Sequence, residues 1–255
     1  MPGNRKALAG YGQYCPLALA TELLCRRWTV LVVSRLLDGC TTYTQVRQGV
    51  PRISPSLLSR RLLELETAGI VRRRKLPGRD RHSYELTEAG KDLSSIVDQL
   101  AIWGQHWARD NELDDLDLEF LAWSMSLRID TDAMPPGRTV MEFEFSGVPT
   151  EFKRFWLVNT DGKVDMCIKY PGIETDLLVK ADLRRFVETW RGFRDIRSEI
   201  KSSHIRLTGS KQLRVAFPSW MKLSGLAPFE RKNGGREQRI SAKSKARKTK
   251  RPDEG

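Results

Sequence analysis

Over the first hundred positions, apolar residues recur at helical spacing in short runs separated by turn formers. Residues 16–25 suit a first helix and 28–38 a second, more apolar one that Gly39 ends. Thr42 is placed to cap a short helix over 43–49, which Val50-Pro51 breaks because proline biases its predecessor away from helical ψ. Leu58, Leu62 and Leu65 then mark the inward face of a helix over 54–68. Ser54 stands at its N-cap, Pro55 in its first turn and Gly69 beyond its end. Its opposite face carries Ser56 and Arg60, with Ser59 on the flank. A β-rich run from Ile70 to Lys75, a Pro-Gly tip with Arg79 and Arg81, and a returning strand from His82 to Leu86 make a basic hairpin. Thr87 is expected to cap a long helix running to about Arg109, on which Ile96, Leu100, Trp103 and Trp107 form one stripe. A capped helix with a short polar face followed by a basic hairpin outlines a mainly α, winged helix-turn-helix domain. Such a helix enters the major groove while the hairpin reaches the flanking backbone or minor groove.

Past residue 110 the pattern changes. Residues 117–127 read as a helix, and Pro135-Pro136-Gly137 turns the chain into strands. Thr139, Met141, Phe143 and Phe145 alternate with Val140, Glu142 and Glu144, as on a half-buried strand. Val164, Met166, Ile168 and Tyr170 alternate in the same way, and Asp161-Gly162 joins that run to 154–160 as a tight hairpin. Helices are expected at 181–190 and around 210–217, with a short strand at 204–207 between them. Strands followed by helices imply an α+β domain with a helical cover over one sheet face.

Charge divides the chain in the same places. Residues 1–110 hold 17 Lys and Arg against 10 Asp and Glu, residues 111–228 hold 17 against 18, and residues 229–255 hold 10 against 4. The reading is a basic first domain (1–110), a near-neutral second domain (111–228) and a basic tail (229–255) that lacks apolar periodicity and is expected to be disordered. The 255 residues suffice for two separate cores. No run approaches the ~18 apolar residues of a membrane span, and no apolar leader opens the chain. The four cysteines show neither metal-ligand spacing nor a disulfide framework, and the three histidines are scattered. The expectation is a cytoplasmic protein with no cofactor, no metal site and no membrane insertion. No nucleophile–base pair or phosphate loop appears, so an enzyme is not expected.

Residues 15–107 resemble the HxlR family of bacterial transcription regulators. The resemblance rests on Cys15-Pro16-Leu17, Arg27-Trp28-Thr29-Val30-Leu31, Val50-Pro51-Arg52-Ile53-Ser54, Leu62-Leu63-Glu64-Leu65-Glu66, Gly69-Ile70-Val71-Arg72-Arg73 and Tyr84-Glu85-Leu86-Thr87-Glu88-Ala89-Gly90. The wing departs from the family's Pro-Pro-Arg-x-x-Tyr, running Pro77-Gly78-Arg79-Asp80-Arg81-His82-Ser83-Tyr84, longer and richer in charge. Residues 111–228 resemble the sterol carrier protein type 2 domain through Asp161-Gly162-x-Val164, Asp176-Leu177-x-Val179-x-Ala181-Asp182-Leu183, Trp190-x-Gly192 and Ile205-x-Leu207-x-Gly209. That second resemblance implies an apolar cavity between sheet and helices able to hold a lipid-like molecule.

Candidate DNA-binding residues follow from these readings. Ser54, Ser56, Ser59 and Arg60 belong to the groove-facing helix, and arginine is the usual reader of guanine O6 and N7. Arg52, Arg79 and Arg81 are placed for phosphate, which positions a protein without specifying sequence. Arg61, nearer the apolar side, is expected to pair with Glu64 or Glu66 or to touch phosphate. Cys15 stands where members of the resembled family carry a redox-sensing cysteine, with Arg26 and Arg27 close in sequence to lower its thiol pKa; a small buried residue is the plainer alternative. Cys25 and Cys40 read as core. Met141, Phe143, Phe145, Phe155, Leu157, Trp190 and Trp220 are core residues and candidate ligand-lining side chains. The stripe of residues 96–107 serves either as a dimer seam or as burial against helix 16–25. The sequence thus reads as a homodimeric regulator of transcription on double-stranded DNA, with a hydrophobic effector in its second domain. The alternative is a lipid-binding carrier or accessory protein whose first domain binds a partner; the wing's charge and the Ser/Arg face weigh against it.

Overall fold

The computed structural model describes residues 10–75, 82–108, 116–148 and 153–232. The chain divides into two units, Met1–Asp98 and Gln99–Gly255, with the boundary inside a helix.

In the first unit the elements run α1 (Pro16–Leu24), α2 (Thr29–Leu37), α3 (Tyr43–Gly49), α4 (Pro55–Thr67), β1 (Val71–Lys75), β2 (His82–Leu86) and α5 (Glu88–Lys91). Helix α6 (Ser94–Trp107) follows and carries the unit boundary. The core is made by Val32, Val33 and Leu36 of α2, Val46 of α3, Leu58, Leu62 and Leu65 of α4, and Val71 of β1, all buried. Burying one such side chain contributes about 1.5–3 kcal/mol, which holds the short helices far better than propensity can. Helix α1 buries none of its residues, and Cys25 at its C-terminal end is exposed rather than core. The α1 apolar pattern is short enough that Cys25 falls past the last helical turn. Cys40 is buried as expected.

The helix expected to run unbroken from Thr87 is two helices, α5 and α6. Gly90 packs so tightly on the carbonyl oxygen of Ile70 that a β-carbon there would overlap it. Just beyond, the Leu93 N–H reaches back only three residues, to the Gly90 oxygen at 3.3 Å, which tightens the chain between the helices. The stripe on α6 is not covered: Ile96, Leu100, Trp103 and Trp107 are 48%, 51%, 61% and 44% exposed. Of the four, Ile96 lies in the same unit as helix 16–25, and it is half-exposed.

The second unit opens on the last turns of α6 and continues through α7 (Leu118–Ser126), β3 (Arg138–Ser146), β4 (Arg154–Thr160), β5 (Lys163–Cys167) and β6 (Leu177–Asp182). Helices α8 (Leu183–Trp190) and α9 (Ile196–Lys201), strand β7 (Ile205–Gly209) and α10 (Lys211–Trp220) complete it. The five strands are ordered β5-β4-β3-β6-β7, antiparallel except for the parallel β3–β6 pair. Asp161 and Gly162 both adopt positive φ, 49° and 87°, which makes the tight turn of the β4–β5 hairpin. Met141, Phe143, Phe145, Phe155 and Leu157 on one sheet face join Leu121 and Met125 of α7, Phe186 of α8 and Phe217 and Trp220 of α10 in a single core. The opposite face carries a smaller cluster of Val140, Trp156 and Val158.

Two features depart from the sequence reading. The segment 177–182, expected to lie partly in a helix from 181, is strand β6, with Leu177, Val179 and Ala181 inward and the Asp182 carboxylate capping α8. The β5 strand ends at Cys167, so Tyr170 does not share a face with Val164 and Met166; it is 63% exposed and meets the Trp156 ring edge-on at 5.8 Å. Pro171 follows at once and cannot donate to a ladder. Among the described residues no helix is long and apolar enough to cross a membrane.

Candidate nucleic-acid interface

Helix α3 begins on a reciprocal cap. The Gln45 N–H donates to the Thr42 hydroxyl at 3.3 Å, and the Gln45 side-chain oxygen accepts from the Thr42 N–H at 3.0 Å. Residues 50–53 turn the chain, with Val50 and Ile53 buried and the Ile53 N–H bonded to the Val50 oxygen. Ser54 then caps α4, its hydroxyl accepting from the Leu57 N–H at 3.4 Å, and Pro55 occupies the first turn where its missing donor costs nothing. With Leu58, Leu62 and Leu65 buried, the helix can only turn Ser56, Ser59 and Arg60 to solvent, and all three are exposed. Arg60 makes no ion pair or hydrogen bond among the described residues and so offers a complete guanidinium fork. Arg52 is exposed in the turn before α4.

Arg61 is taken up as the sequence suggested. Its Nη1 pairs with Glu64 at 2.6 Å, its Nε donates to the Arg27 oxygen at 2.9 Å, and Arg26 reaches the same carboxylate at 3.2 Å. Arg27 lies over the Trp28 ring at 5.1 Å. Both arginines near Cys15 in sequence are thus engaged elsewhere. Cys15 is itself exposed at the N-cap of α1, and its side chain makes no capping hydrogen bond.

The wing is tied to the helices at its base. Its two strands pair Val71 with Leu86 through Lys75 with His82. The Tyr84 N–H donates to the Thr41 oxygen at 2.7 Å, so the residues before α3 extend the hairpin by a third short stretch. Arg72, Arg73 and Arg74 are exposed; Arg73 meets the His82 ring at 3.1 Å and Arg74 pairs with Glu85 at 3.1 Å. The wing tip with Arg79 and Arg81, and the tail from residue 233, lie outside the described residues.

Two contributions were missed from the sequence. Tyr43 hydrogen-bonds the Pro55 oxygen through its phenol, and Leu63 is 60% exposed on the same side of α4 as Ser59 and Arg60. The i, i+3, i+4 relation to Ser59 and Arg60 was a usable signal for Leu63, masked by its apolar type. The Tyr43 link spans two helices and leaves no local signature.

In the second unit, the seven candidate lining residues Met141, Phe143, Phe145, Phe155, Leu157, Trp190 and Trp220 come together in one packed core. Phe143 stacks on Phe155 at 4.8 Å, and the Trp220 indole N–H donates to the Ala133 oxygen at 2.9 Å. Near the unit's first helix, buried Gln105 is clamped by Arg191, whose Nη2 donates to its side-chain oxygen at 2.7 Å.

A model of the HxlR-like helix-turn-helix family matches residues 23–112. The uncharacterized HTH-type transcriptional regulator YvaP of Bacillus subtilis (strain 168) is 35% identical over 104 residues, spanning 40% of this chain and 96% of that protein. The HTH-type transcriptional regulator YodB of the same organism is 34% identical over 95 residues, 36% of this chain and 85% of that protein. The reduced form of B. subtilis YodB, as a solved structure, shares 31% identity over 39% of this chain and 100% of its own, with a TM-score of 0.34.

Proposed function

Because the chain belongs to the HxlR-like helix-turn-helix family through residues 23–112, we propose that it regulates transcription by binding double-stranded DNA as a homodimer. The observation that carries this reading is α4: a capped helix whose buried leucines leave Ser56, Ser59 and Arg60, which has no partner among the described residues, facing outward beside a basic hairpin. In this reading α4 lies in the major groove, Arg60 reads a base edge, and Ser54, Ser56 and Ser59 contact bases or phosphate. Arg52, Arg79 and Arg81 hold the backbone and fix register. A two-fold protein would read a two-fold site, and the exposed α6 stripe is an apolar surface that could make the dimer.

The second unit is the reading's effector module. Its mixed sheet with helices over one face supports the resemblance to sterol carrier type 2 domains, and the seven packed side chains would line the ligand once the core opens. Such a ligand controls DNA affinity only by favouring one arrangement of the protein over another. The test is selection of bound fragments from genomic DNA by the purified chain, followed by titration of the selected and scrambled duplexes with and without lipid extract. Tight binding to the selected duplex alone supports the regulator, and equal binding to both refutes it. A change in that affinity of roughly 5–150-fold with extract supports the effector; none refutes it.

A further inference from the structure

Leu63 is 60% exposed on α4, in the middle of its polar face. At about 100° per residue it falls on the arc between Ser59 and Ser56, roughly 40° from the first and 20° from the second, with Arg60 roughly 60° away beyond Ser56. Thr67 lies on the same face, and all four of these neighbours are exposed. Leu58, Leu62 and Leu65 take the opposite side and are buried. A single exposed leucine is ordinary on a protein surface. This one is set apart by its surroundings. Its isobutyl group gains little from its own fold while it stays in water. The next residue, Glu64, has its carboxylate held by Arg61 at 2.6 Å and by Arg26 at 3.2 Å, so that charge is compensated before phosphate approaches. A helix laid in the major groove on this face cannot send Arg60 to a base edge and keep Leu63 away, because residues three apart are neighbours, with β-carbons about 5–6 Å apart. Among the standard bases only thymine shows an apolar group in that groove, its 5-methyl.

We propose that Leu63 is a specificity-determining residue that packs on the 5-methyl group of a thymine beside the base that Arg60 reads. The proposal rests on α4 being the groove-facing helix. Base steps of about 3.4 Å put the targets of the two side chains one or two steps apart. Ser56, Ser59 and Arg60 answer to hydrogen-bonding edges, whereas Leu63 answers to the methyl alone. Cytosine lacks that methyl and turns an amino donor to the groove, which leaves the leucine against a polar edge.

The probes are the selected duplex and a set in which each thymine in turn becomes deoxyuridine, which deletes the methyl and keeps the base pair. The full chain is titrated with each at fixed salt. One such change per half-site, within about two base pairs of the position that Arg60→Ala relaxes, should weaken binding about three- to tenfold. Leu63→Ala keeps a strong helix former at an exposed site. It should bind the thymine duplex about three- to tenfold less tightly and lose the deoxyuridine effect at that position only, while Leu63→Met keeps the effect. No sensitive thymine in that window, or a Leu63→Ala variant that still senses the same methyl, overturns the proposal. A lower sedimenting mass of Leu63→Ala without DNA also overturns it and assigns the residue to a contact between copies of the chain. Each of these results leaves the regulator reading standing as long as the unaltered chain prefers the selected duplex to the scrambled one; without that preference both fall.

Discussion

The phenol of Tyr43 donates a hydrogen bond to the backbone oxygen of Pro55 at 3.0 Å, joining the first turn of α3 to the first turn of α4. The link acts at the start of α4, on the residue next to the Ser54 cap. Tyr43→Phe keeps the ring and removes the bond. Urea melts should show a loss of about 1 kcal/mol, and the ratio of specific to random DNA affinity should fall. Unchanged stability and specificity together would mean that the bond positions nothing.

Arg60 and Arg79 should fail differently. Arg60→Ala is expected to cost about 1–3 kcal/mol on the selected duplex and to relax preference at one base position. Arg79→Ala should weaken selected and scrambled duplexes alike. Titrating both variants on both duplexes at fixed salt checks this, and identical behaviour would contradict the assignment.

The exposed α6 stripe bears on assembly. Trp103, the most exposed of its four members at 61%, would sit in a seam made by this face. Trp103→Glu should then halve the sedimenting mass while leaving the helical signal intact, since the side chain packs little within its own chain. A dimer that survives the change places the seam elsewhere.

Removal of residues 230–255 takes away 10 basic and 4 acidic side chains, a net charge of +6. If those charges neutralise phosphates, log K for DNA should fall less steeply with log salt, because fewer counterions are released. A salt slope identical to that of the full chain would show that the tail does not touch DNA.

The cysteines should label in two classes. Cys15 and Cys25 are exposed, and iodoacetamide at pH 8 should reach both in the native protein. Burial pushes the Cys40 thiol pKa up and the nearby Asp38 carboxylate adds to it, so its reactive thiolate is disfavoured in the folded state. A folded pKa above the unfolded one also means stability from this group is held below the unfolded value and lost as pH rises through the folded value. Peptide mass spectrometry before and after urea should find Cys40 modified only on unfolding; native labelling at the rate of Cys15 would contradict this.

Much of the first unit was legible in the chain because its signals are local. Caps at Thr42, Ser54 and Thr87, leucines at 58, 62 and 65, and the paired runs 70–75 and 82–86 each act within a few residues, and the structure places them as read. The Arg61–Glu64 pair and the Asp161-Gly162 turn were local in the same sense. Tertiary structure decided what depends on distant partners. Strand β6 exists because Leu177, Val179 and Ala181 fill a place beside β3, and Asp176 fastens its start by accepting from the Val140 N–H at 2.7 Å, a pairing across 36 positions. The close approach of Gly90 to the Ile70 oxygen and the Tyr43–Pro55 bond likewise each join segments well apart along the chain. Short-range hydrogen bonding and periodic burial are written residue by residue, whereas sheet order and shared cavities arise only when separate segments compete for the same buried space.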